Sequence, residues 1–505
     1  MDVDKSFLSL REEFFWAKAK RKQQIIKEYR ELLGRTNIKD WLSIRVRQLA
    51  SYDPFDVASS SSFFDPKFMF GLEGFDIVIG NPPYVQLQKM SWTQIQKDYE
   101  AQKYQSFTKM GDLYCLFYER GNQLLNHWWI LCYITSNKRM RAWYGEKMRQ
   151  YLLDHTAPLQ LIDFWWVKVF ESATVDTNIL MFARGAQPLS LHATAIGSDY
   201  RLEDDLKSYI TTKSVRLTTL TAGSWFIGNT AELSLKTKIE SIGKPLKNWD
   251  INIYRGILTG LNEAFIITES KKNEIIWLDP KSSEIIKPIL RGRDIKKYGY
   301  EFAGLYVIGT FPALHLDIDD YPGVKQHLLD FGKDRIEQTW NTLSDWTKSR
   351  KKTWNKRFET QDQIWYHEEF EKEKIVYPNM AYWLMSIYDD EWFYVNQKCF
   401  MITGKHLKYI QWLFNSKILN YLFKQVWATL WWAWYEMSKI FIEKLLVAIP
   451  TPSQESAIIT LVDQILTLKK SDPTSDTTVL ETQIDQLVYE LYGLTEDEVK
   501  IVEGE

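Results

Sequence analysis

The stretch FDIVIGNPPYV, residues 75–85, constrains the fold of this chain more than any other feature. Its near-continuous apolar residues predict a strand that is buried on both faces. Asn81, Pro82, Pro83 and Tyr84 then form a rigid polar turn, because proline fixes the backbone and restricts the residue before it. A turn that merely stops the strand is the alternative to a functional site. The glycine, amide, double proline and tyrosine directly after a buried strand favour the site.

The residues after this turn alternate between helical and strand patterns. Helices are predicted over 111–125 and 144–153, and strands over 129–136, 159–165 and 177–183. Such alternation, with apolar strands, is typical of an α/β sheet covered by helices, in which ligands bind at the carboxyl ends of the strands. The prediction is an α/β chain with a partial, doubly wound Rossmann-like domain, and Asn81 lies at one of its strand ends.

The remaining sequence predicts three further regions. Residues 1–66 form a helical linker region with one long, largely exposed helix from about Ser6 to Leu33. The Rossmann-like domain spans 67–205, and a mixed α+β domain spans 206–452, where strand-like pieces alternate with aromatic and basic stretches and a helical run HLKYIQWLFNSKILNYLF. A helical C-terminal region follows over 453–505. At 505 residues, about three domains are expected.

Composition excludes several classes of protein. A formal net charge of −2 means that a polyanion must be held by local basic clusters. The three cysteines lack the spacing of a disulfide framework or a zinc site, so no metal is predicted. The first residues are acidic where a signal peptide is basic, and no apolar run is long enough to span a membrane. These features predict a cytoplasmic protein with no membrane partner.

The turn at Asn81 offers an unusual set of groups. The Asn81 side-chain carbonyl and the Pro82 main-chain carbonyl are two hydrogen-bond acceptors, and the prolines remove competing N–H donors. Tyr84 adds a flat face for stacking. Two acceptors beside an aromatic ring suit an exocyclic NH₂ on a planar heterocycle and would stabilise charge developing on that nitrogen. A base in a duplex must first be flipped out of the helix.

GNPPY after an apolar strand resembles motif IV of the amino-group methyltransferases that use S-adenosylmethionine. Together with GDLYCLFYERGNQLL, ILCYITSNKRM and VFESATVDTNIL, it resembles the gamma-class, TaqI-like adenine-N6 DNA methyltransferases of type II restriction-modification systems, including their IIG-like members. IYRGILTGLNEAFII and ILRGRDIKKYG are similar to the target-recognition domain of that family. The resemblance covers roughly residues 50–450, whereas NPPY alone is shared with protein-glutamine and RNA methyltransferases.

The resemblance implies roles for individual residues. Asn81 and Pro82 would accept the adenine amino group, with Pro83 completing the turn and Tyr84 stacking on the base. Phe170 falls where the family places a second ring against the flipped base, although an ordinary core role is equally open. The implied cofactor is S-adenosylmethionine, the implied partner is double-stranded DNA, and no separate general base is implied.

Two basic clusters are candidates for DNA contacts within the predicted recognition domain, because phosphate contacts supply most of the affinity for DNA. As isolated charge runs they would more often be a solvated face. The candidate residues are Arg291, Arg293, Lys348, Arg350, Lys351, Lys352, Lys356 and Arg357.

The sequence lacks one part of the family pattern. Upstream of residue 75 the glycines are Gly34, Gly71 and Gly74, and none begins a glycine-rich cofactor loop. Asp65 is a weak candidate for one cofactor contact. We therefore expect either a C-terminal fragment or one half of a split enzyme that is completed by an upstream polypeptide with this loop. No nuclease signature is visible here, and a nuclease of the system would lie on that upstream part. The alternatives are a non-catalytic DNA-binding specificity module and a methyltransferase acting on protein glutamine or RNA.

Tryptophan is unusually frequent. The chain has 22 Trp and 23 Gly among its 505 residues. Its share of glycine is therefore below the usual value of about 7%. Several tryptophans stand at turn positions that favour glycine, which predicts that UGA codons read as glycine in the source have been translated as Trp. An aromatic surface that stacks on bases is the alternative. The tryptophans concerned are Trp128, Trp129, Trp143, Trp165, Trp166, Trp346, Trp354, Trp431, Trp432 and Trp434.

Overall fold

The computed structural model divides the chain into two compact units, residues 1–227 and 228–505. It describes residues 3–36, 44–90, 94–141, 145–164, 167–170, 176–185, 190–197, 199–201, 203–218, 220–223, 225, 227, 230–336, 338–339, 350–351, 355–426, 429–431 and 434–504. Within these ranges, no helix has the length and apolar character needed to cross a bilayer.

The first unit is built on a six-stranded mixed sheet in the order β1-β2-β4-β3-β5-β6. β1 is parallel to β2, and β3 is parallel to β5, while β4 runs antiparallel between β2 and β3. The strands are β1 Phe75–Gly80, β2 Leu125–Ser136, β3 Thr156–Asp163, β4 Thr177–Arg184, β5 Leu191–Ala195 and β6 Val215–Leu217.

The helices of this unit precede the sheet or connect its strands. They are α1 Val3–Trp16, α2 Ala19–Arg35, α3 Ile44–Ala50, α4 Pro66–Phe70, α5 Gln94–Ala101, α6 Leu113–Leu124, α7 Lys138–Arg141, α8 Glu146–His155 and α9 Leu206–Lys213. α6 packs against β1 and β2, and α8 packs against β3. The helices and strands predicted over residues 75–183 are confirmed, with shifts of a few residues at their ends.

Two expectations for the first unit are wrong. The single long helix predicted over 6–33 is a pair, α1 and α2, because Lys18 adopts an extended backbone. The two helices pack together through Phe7 and Tyr29, which are buried with ring centroids 5.1 Å apart. β1 is also not buried on both faces, since Ile77 is 64% exposed and Ile79 is 78% exposed.

The second unit combines small, mostly antiparallel sheets with helices, and its parallel pairs are β10 with β19 and β14 with β15 among the described residues. Its two four-stranded sheets have the orders β19-β10-β13-β9 and β18-β16-β20-β8. The strands are β7 Lys244–Pro245, β8 Ile251–Arg255, β9 Ile266–Thr268, β10 Ile286–Leu290, β11 Ile295–Lys296, β12 Gly299–Tyr300, β13 Leu305–Ile308, β14 Gln338–Thr339, β15 Arg350–Lys351, β16 Lys374–Pro378, β17 Met380–Ala381, β18 Ile387–Asp389, β19 Tyr394–Val395, β20 Cys399–Gly404, β21 Thr429–Trp431, β22 Trp434–Glu436 and β23 Leu446–Val447.

Helices surround these sheets and end the chain. They are α10 Thr230–Ile242, α11 Asn262–Phe265, α12 Glu269–Leu278, α13 Pro322–Asp330, α14 Lys333–Ile336, α15 Leu407–Asn415, α16 Lys417–Val426, α17 Lys439–Ile442, α18 Pro452–Ser471, α19 Thr478–Leu491 and α20 Glu496–Glu503. The predicted helical run from His406 to Phe423 is interrupted at Ser416, whose hydroxyl accepts a hydrogen bond from the Leu419 amide at 3.4 Å. α18 to α20 confirm the predicted helical C-terminal region.

Candidate active site and DNA-contact surface

The topology of the first sheet gathers the conspicuous sequence motifs at one edge. Because β1, β2 and β3 run in the same direction, their carboxyl ends at Gly80, Ser136 and Asp163 lie at the same edge of the sheet. The NPPY turn follows β1, and the connection from β3 to β4, which contains Phe170, begins at the same edge. This is the edge where α/β sheets bind their ligands.

The NPPY turn exposes the Asn81 side chain to solvent and anchors its aromatic ring. Asn81 and Pro83 are exposed, whereas Pro82 is buried. The Asn81 side chain has no hydrogen-bond partner in the described part of the chain, so its carbonyl is free to accept. Tyr84 donates its hydroxyl to the Ile134 carbonyl at 3.3 Å, which ties the ring to β2.

The Tyr84 ring is held on a second side by an edge-to-face contact with buried Tyr114, with centroids 6.1 Å apart. Burial is the main cause that raises the pKa of Tyr84 to about 12, so the phenol stays neutral at physiological pH. A neutral, positioned ring is suited to stacking on a base.

The backbone after the turn is also fixed. The Leu113 amide donates to the Val85 carbonyl at 2.8 Å, and the Leu87 amide donates to the Gly111 carbonyl at 2.8 Å. These two bonds join the chain that leaves the turn to the start of α6. The Asn81 and Pro82 acceptors therefore lie next to an anchored segment, which favours preorganisation of the site.

Sequence reasoning missed a buried polar network beneath this edge. Arg139 is 1% exposed and donates to the Thr135 hydroxyl at 2.7 Å and to the Asn178 side-chain carbonyl at 2.8 Å. Its guanidinium also lies 4.6 Å from the centre of the Tyr118 ring. The available signal was the run Thr-Ser-Asn-Lys-Arg, residues 135–139, directly after the apolar part of β2. Arg139 thus holds the carboxyl end of β2 in place.

Phe170 and Asp65 have different surroundings. Phe170 is half-buried in the β3–β4 connection, and residues 171–175 lie outside the described ranges, so its role against a base stays a prediction. Asp65 caps α4 by accepting from the Phe68 amide at 3.0 Å and pairs with Arg45 at 2.5 Å. These bonds account for Asp65 as a structural residue and favour that role over a cofactor contact.

The described residues do not fit a complete S-adenosylmethionine site. Gly34 lies within α2, Gly71 caps α4 with a φ of 72°, and the Gly74 Cα faces the Asn126 side chain and the Leu124 carbonyl. None of these glycines follows a strand or opens a loop onto the edge that carries Asn81. The NPPY turn is therefore present in the described ranges, whereas the described residues before β1 contain no glycine-rich loop at this edge.

The second unit contains a basic cleft of about 880 Å³. Five cationic side chains line it, and its lining contains neither Asp nor Glu. Lys296, Lys297 and Lys417 are paired with carboxylates outside the lining, at 2.5 to 3.3 Å. The two remaining cations, Arg293 and Lys398, are exposed and have no ion pair within the described residues. Charge of one sign favours an anionic ligand for this cleft.

The cleft also offers an aromatic and a polar contact. Trp383 lines it and is 55% exposed. Asn379 lines the same cleft, and its buried side-chain carbonyl has no hydrogen-bond partner in the described part of the chain. The Asn379 amide and Gly292 both pack on the Lys398 main chain, which brings Arg293 and Lys398 to the same wall.

The predicted DNA-contact residues do not all lie in this cleft. Arg293 does, but Arg291 pairs with Asp294 at 2.8 Å and helps to shape the turn. Lys356 and Arg357 are described elsewhere in the second unit, with the Arg357 guanidinium 5.3 Å from the centre of the Phe358 ring. Lys348 and Lys352 lie outside the described residues, and only the backbone of Arg350 and Lys351 is described, as β15.

An α/β sheet with Asn-Pro-Pro-Tyr at a strand end and a second unit with a basic cleft are the features expected of the DNA methyltransferases that act on amino groups. Residues 2–170 match the Eco57I restriction-modification methylase family, and residues 287–450 match the TaqI-like C-terminal specificity domain. Each match covers about a third of the chain, and together they indicate an Eco57I-type methylase region followed by a TaqI-like specificity region.

Individual relatives agree with this assignment. The chain is similar to the type II restriction enzyme and methyltransferase RM.Eco57I of Escherichia coli, with 25% identity over 49% of this chain and 24% of the relative. It is also similar to the type II methyltransferase M.BstVI of Geobacillus stearothermophilus, with 21% identity over 85% of this chain and 75% of the relative. The chain thus spans about a quarter of the first relative and three quarters of the second.

A solved structure supports the fold. The type IIL restriction-modification enzyme MmeI, crystallised with DNA, aligns over 95% of this chain and 70% of its own, with a TM-score of 0.57 and 12% identity. The predicted family, fold class and cofactor class, that of S-adenosylmethionine-dependent DNA methyltransferases, are confirmed by these matches. The predicted domain bounds and the roles of single residues stay predictions.

Proposed function

We propose that the chain supplies the base-binding and DNA-recognition parts of a site-specific adenine-N6 DNA methyltransferase of a restriction-modification system. The observation that carries this proposal is the NPPY turn at the carboxyl end of β1. There the Asn81 side chain is exposed without a partner among the described residues, and the Tyr84 ring is anchored by the Ile134 carbonyl. S-adenosylmethionine is the methyl donor of the family.

The residues of the turn would bind the adenine after it is flipped from the duplex. The Asn81 side-chain carbonyl and the Pro82 main-chain carbonyl accept the two hydrogens of the N6 amino group. This pairing orients the nitrogen and stabilises the positive charge that develops when it is alkylated. Tyr84 stacks on the ring, an interaction worth about 1–3 kcal/mol per base.

The glycine-rich loop for the cofactor is proposed to come from an upstream polypeptide. The observation favouring this is that the described residues before β1 contain no loop of that type. A second candidate function, a DNA-binding specificity module without catalysis, is favoured by the same observation. The basic cleft in the second unit is compatible with either function, because both need contacts to duplex DNA.

Substitution of Asn81 distinguishes the proposed methyltransferase from a DNA-binding specificity module without catalysis. We expect Asn81→Ala, in the chain combined with the upstream polypeptide, to lower methyl incorporation into duplex DNA by about 10²–10³, the usual loss for one preorganised hydrogen-bonding group. The measurement is transfer of radiolabelled methyl from S-adenosylmethionine to adenine, with RNA as a parallel substrate. DNA affinity should stay unchanged, because the cleft residues are untouched.

Asn273→Ala is the matched control, because Asn273 is an exposed asparagine on α12 in the other unit. Equal incorporation by the Asn81→Ala variant and the unmodified assembly contradicts the proposed role of Asn81. DNA binding without any incorporation in the unmodified assembly supports the specificity module instead.

A further inference from the structure

The basic cleft of the second unit has an apolar floor beneath its cations. Ile295 and Leu384 line it and are each 1% exposed, and Met380, Trp383 and Met385 add further apolar surface. Its volume of about 880 Å³ lies in the range usual for pockets that hold small organic ligands. Phosphate groups bind to charged and polar surface and gain nothing from such a floor. The cleft therefore fits a ligand that has an apolar part as well as negative charge.

The segment that carries Trp383 is fixed to α15 and α16. The Leu384 amide donates to the side-chain carbonyl of Asn420 at 2.7 Å, and the Asn420 side-chain amide donates back to the Leu384 carbonyl at 3.2 Å. Asn415 makes the same two-way contact with the Ser386 backbone, at 3.0 and 3.1 Å. Trp383 is nevertheless 55% exposed, so an anchored backbone holds an uncovered indole at the cleft. A ring held in this way is a platform on which a planar heterocycle can stack.

Two cations of the same cleft are available for phosphate. Arg293 and Lys398 are exposed and have no ion pair within the described residues, whereas the other three cations of the cleft are paired with carboxylates. A Cβ on Gly292 would lie 2.8 Å from the Lys398 carbonyl oxygen, and this close packing keeps Arg293 and Lys398 on one wall. Two unpaired positive charges match the two phosphodiester groups that flank one nucleotide in a strand. They fall short of the charge of a nucleoside triphosphate.

We propose that this cleft binds one unpaired nucleotide, with its base on Trp383 and its phosphates at Arg293 and Lys398. An extrahelical nucleotide of a DNA strand and a free nucleoside monophosphate share this chemistry. Stacking accepts any base, so the site contributes affinity for an unpaired nucleotide and does not select one base. The residues that line the cleft all belong to the second unit, whereas Asn81 belongs to the first. The inference thus goes beyond the proposed function, because it adds a second nucleotide site that needs no methyl transfer.

The test uses the full chain of 505 residues and a labelled DNA duplex with one bulged thymine. Thymine has no exocyclic amino group, so it does not match the acceptors of Asn81 and Pro82. We expect fluorescence anisotropy to show about tenfold tighter binding of the bulged duplex than of the fully paired duplex with the same flanking sequence, the order of magnitude expected when one base stacks on an aromatic ring. Calorimetric titration with thymidine 5′-monophosphate tests the free nucleotide.

Variants of Trp383 connect either result to the cleft. Trp383→Ala should remove the preference for the bulged duplex and any binding of thymidine 5′-monophosphate. Trp383→Phe should retain most of the effect, because phenylalanine keeps an aromatic face for stacking. Trp277→Ala is the matched control, since Trp277 is 81% exposed and lies outside the lining of the cleft. This control should behave as the unmodified chain does.

A crosslink locates the nucleotide in the unmodified chain, so the test stays decisive if Trp383→Ala fails to fold. With 5-iododeoxyuridine in place of the bulged thymine, irradiation should attach the strand to the peptide that contains Trp383, as identified by mass spectrometry.

The outcomes separate the two sources of the nucleotide. A bulge preference that Trp383→Ala removes assigns the cleft to a nucleotide of the strand, and binding of thymidine 5′-monophosphate alone, lost in the same variant, assigns it to a free nucleotide. Neither preference nor binding, an effect that Trp383→Ala leaves intact, or a crosslink only to other peptides would each overturn the inference. Methyl transfer enters none of these measurements, so the proposed function is tested separately by Asn81→Ala.

Discussion

Trp128 and Trp392 hold backbone conformations that glycine adopts more easily than any bulky residue. Their φ angles are 70° and 63°. Trp128 lies where β2 bulges against β1, because Phe75 faces Leu125 while Ile77 faces Ile130. Bulges of this kind commonly place glycine in the left-handed region. Both indoles are about half exposed, so little packing offsets the strain.

Trp128→Gly should therefore stabilise the chain by about 1 kcal/mol, since the left-handed conformation costs a bulky residue about 1–2 kcal/mol. The free energy of unfolding in urea measures this. Trp129→Gly is the matched control, because Trp129 is a neighbouring, exposed tryptophan without a positive φ, and its replacement should destabilise the strand. Destabilisation by both changes argues against strain at Trp128.

The same positions test the recoding hypothesis directly. If UGA is read as glycine in the source, codons 128 and 392 are UGA, and peptides of the native protein carry glycine there. UGG at both codons contradicts the hypothesis for these residues. Trp143, Trp165, Trp166, Trp346, Trp354 and Trp432 lie outside the described residues, so only their codons bear on it.

At the scale of single elements, α19 contains an unusual carboxylate. Asp485 is 5% exposed and accepts the Lys417 amide at 3.3 Å, at the start of α16. Burial raises the pKa of Asp485 to about 6 from 3.8, with Glu481 adding to the rise and Lys417 and Lys297 opposing it. A carboxyl group with a raised folded-state pKa stabilises the fold fully below pH 4 and loses that contribution as pH rises through 6.

Asp485→Asn should remove this pH dependence, because asparagine keeps the acceptor for the Lys417 amide and carries no charge. We expect equal stability of variant and parent near pH 4 and an advantage of about 2–3 kcal/mol for the variant at pH 8. Unfolding transitions between pH 4 and 8 measure it. Glu490→Gln, which removes a carboxylate at an exposed position of the same helix, is the matched control.

The sequence predicted strands and helices well where a long apolar period was present. β1 and α6 were placed within two residues, but the breaks at Lys18 and Ser416 were not predicted. Apolar spacing continues through both breaks, and only local backbone preferences end the helices there. Ser416 did carry a signal, since serine followed by a new apolar run is typical of a helix start.

Only the part of the candidate site that is formed by neighbouring residues of the sequence could be predicted. Asn81 and Tyr84 are adjacent in sequence, so their pattern was visible, whereas the cleft joins Arg293, Trp383 and Lys398 from distant segments. No local pattern marks residues that only tertiary packing brings together. The exposure of Ile77 and Ile79 also could not be predicted, because the sequence of an apolar strand does not show which of its two faces is covered by other residues.

For the molecule as a whole, a net charge of −2 means that the proposed DNA affinity would come from local cations, for which Arg293 and Lys398 are the candidates. We expect Arg293→Gln with Lys398→Gln to reduce the slope of log affinity against log salt by about 1.8, or about 0.9 for each phosphate that is no longer neutralised. Fluorescence anisotropy of the full chain with labelled duplex DNA measures this slope between about 50 and 200 mM salt.

The control pair is Lys439→Gln with Lys444→Gln, which removes the same charge at two exposed positions outside the cleft. This pair should leave the slope within the error of the unmodified chain. A slope unchanged in the cleft variant, or reduced equally in both variants, contradicts phosphate binding by Arg293 and Lys398.

The open edge of β1 also bears on how this chain behaves when it is concentrated. A strand with unpaired backbone groups and exposed isoleucines is a template on which strands of other copies can pair, and native proteins normally cover such edges. Ile77 and Ile79 therefore mark the part of the described residues from which aggregation of the isolated chain is expected to start.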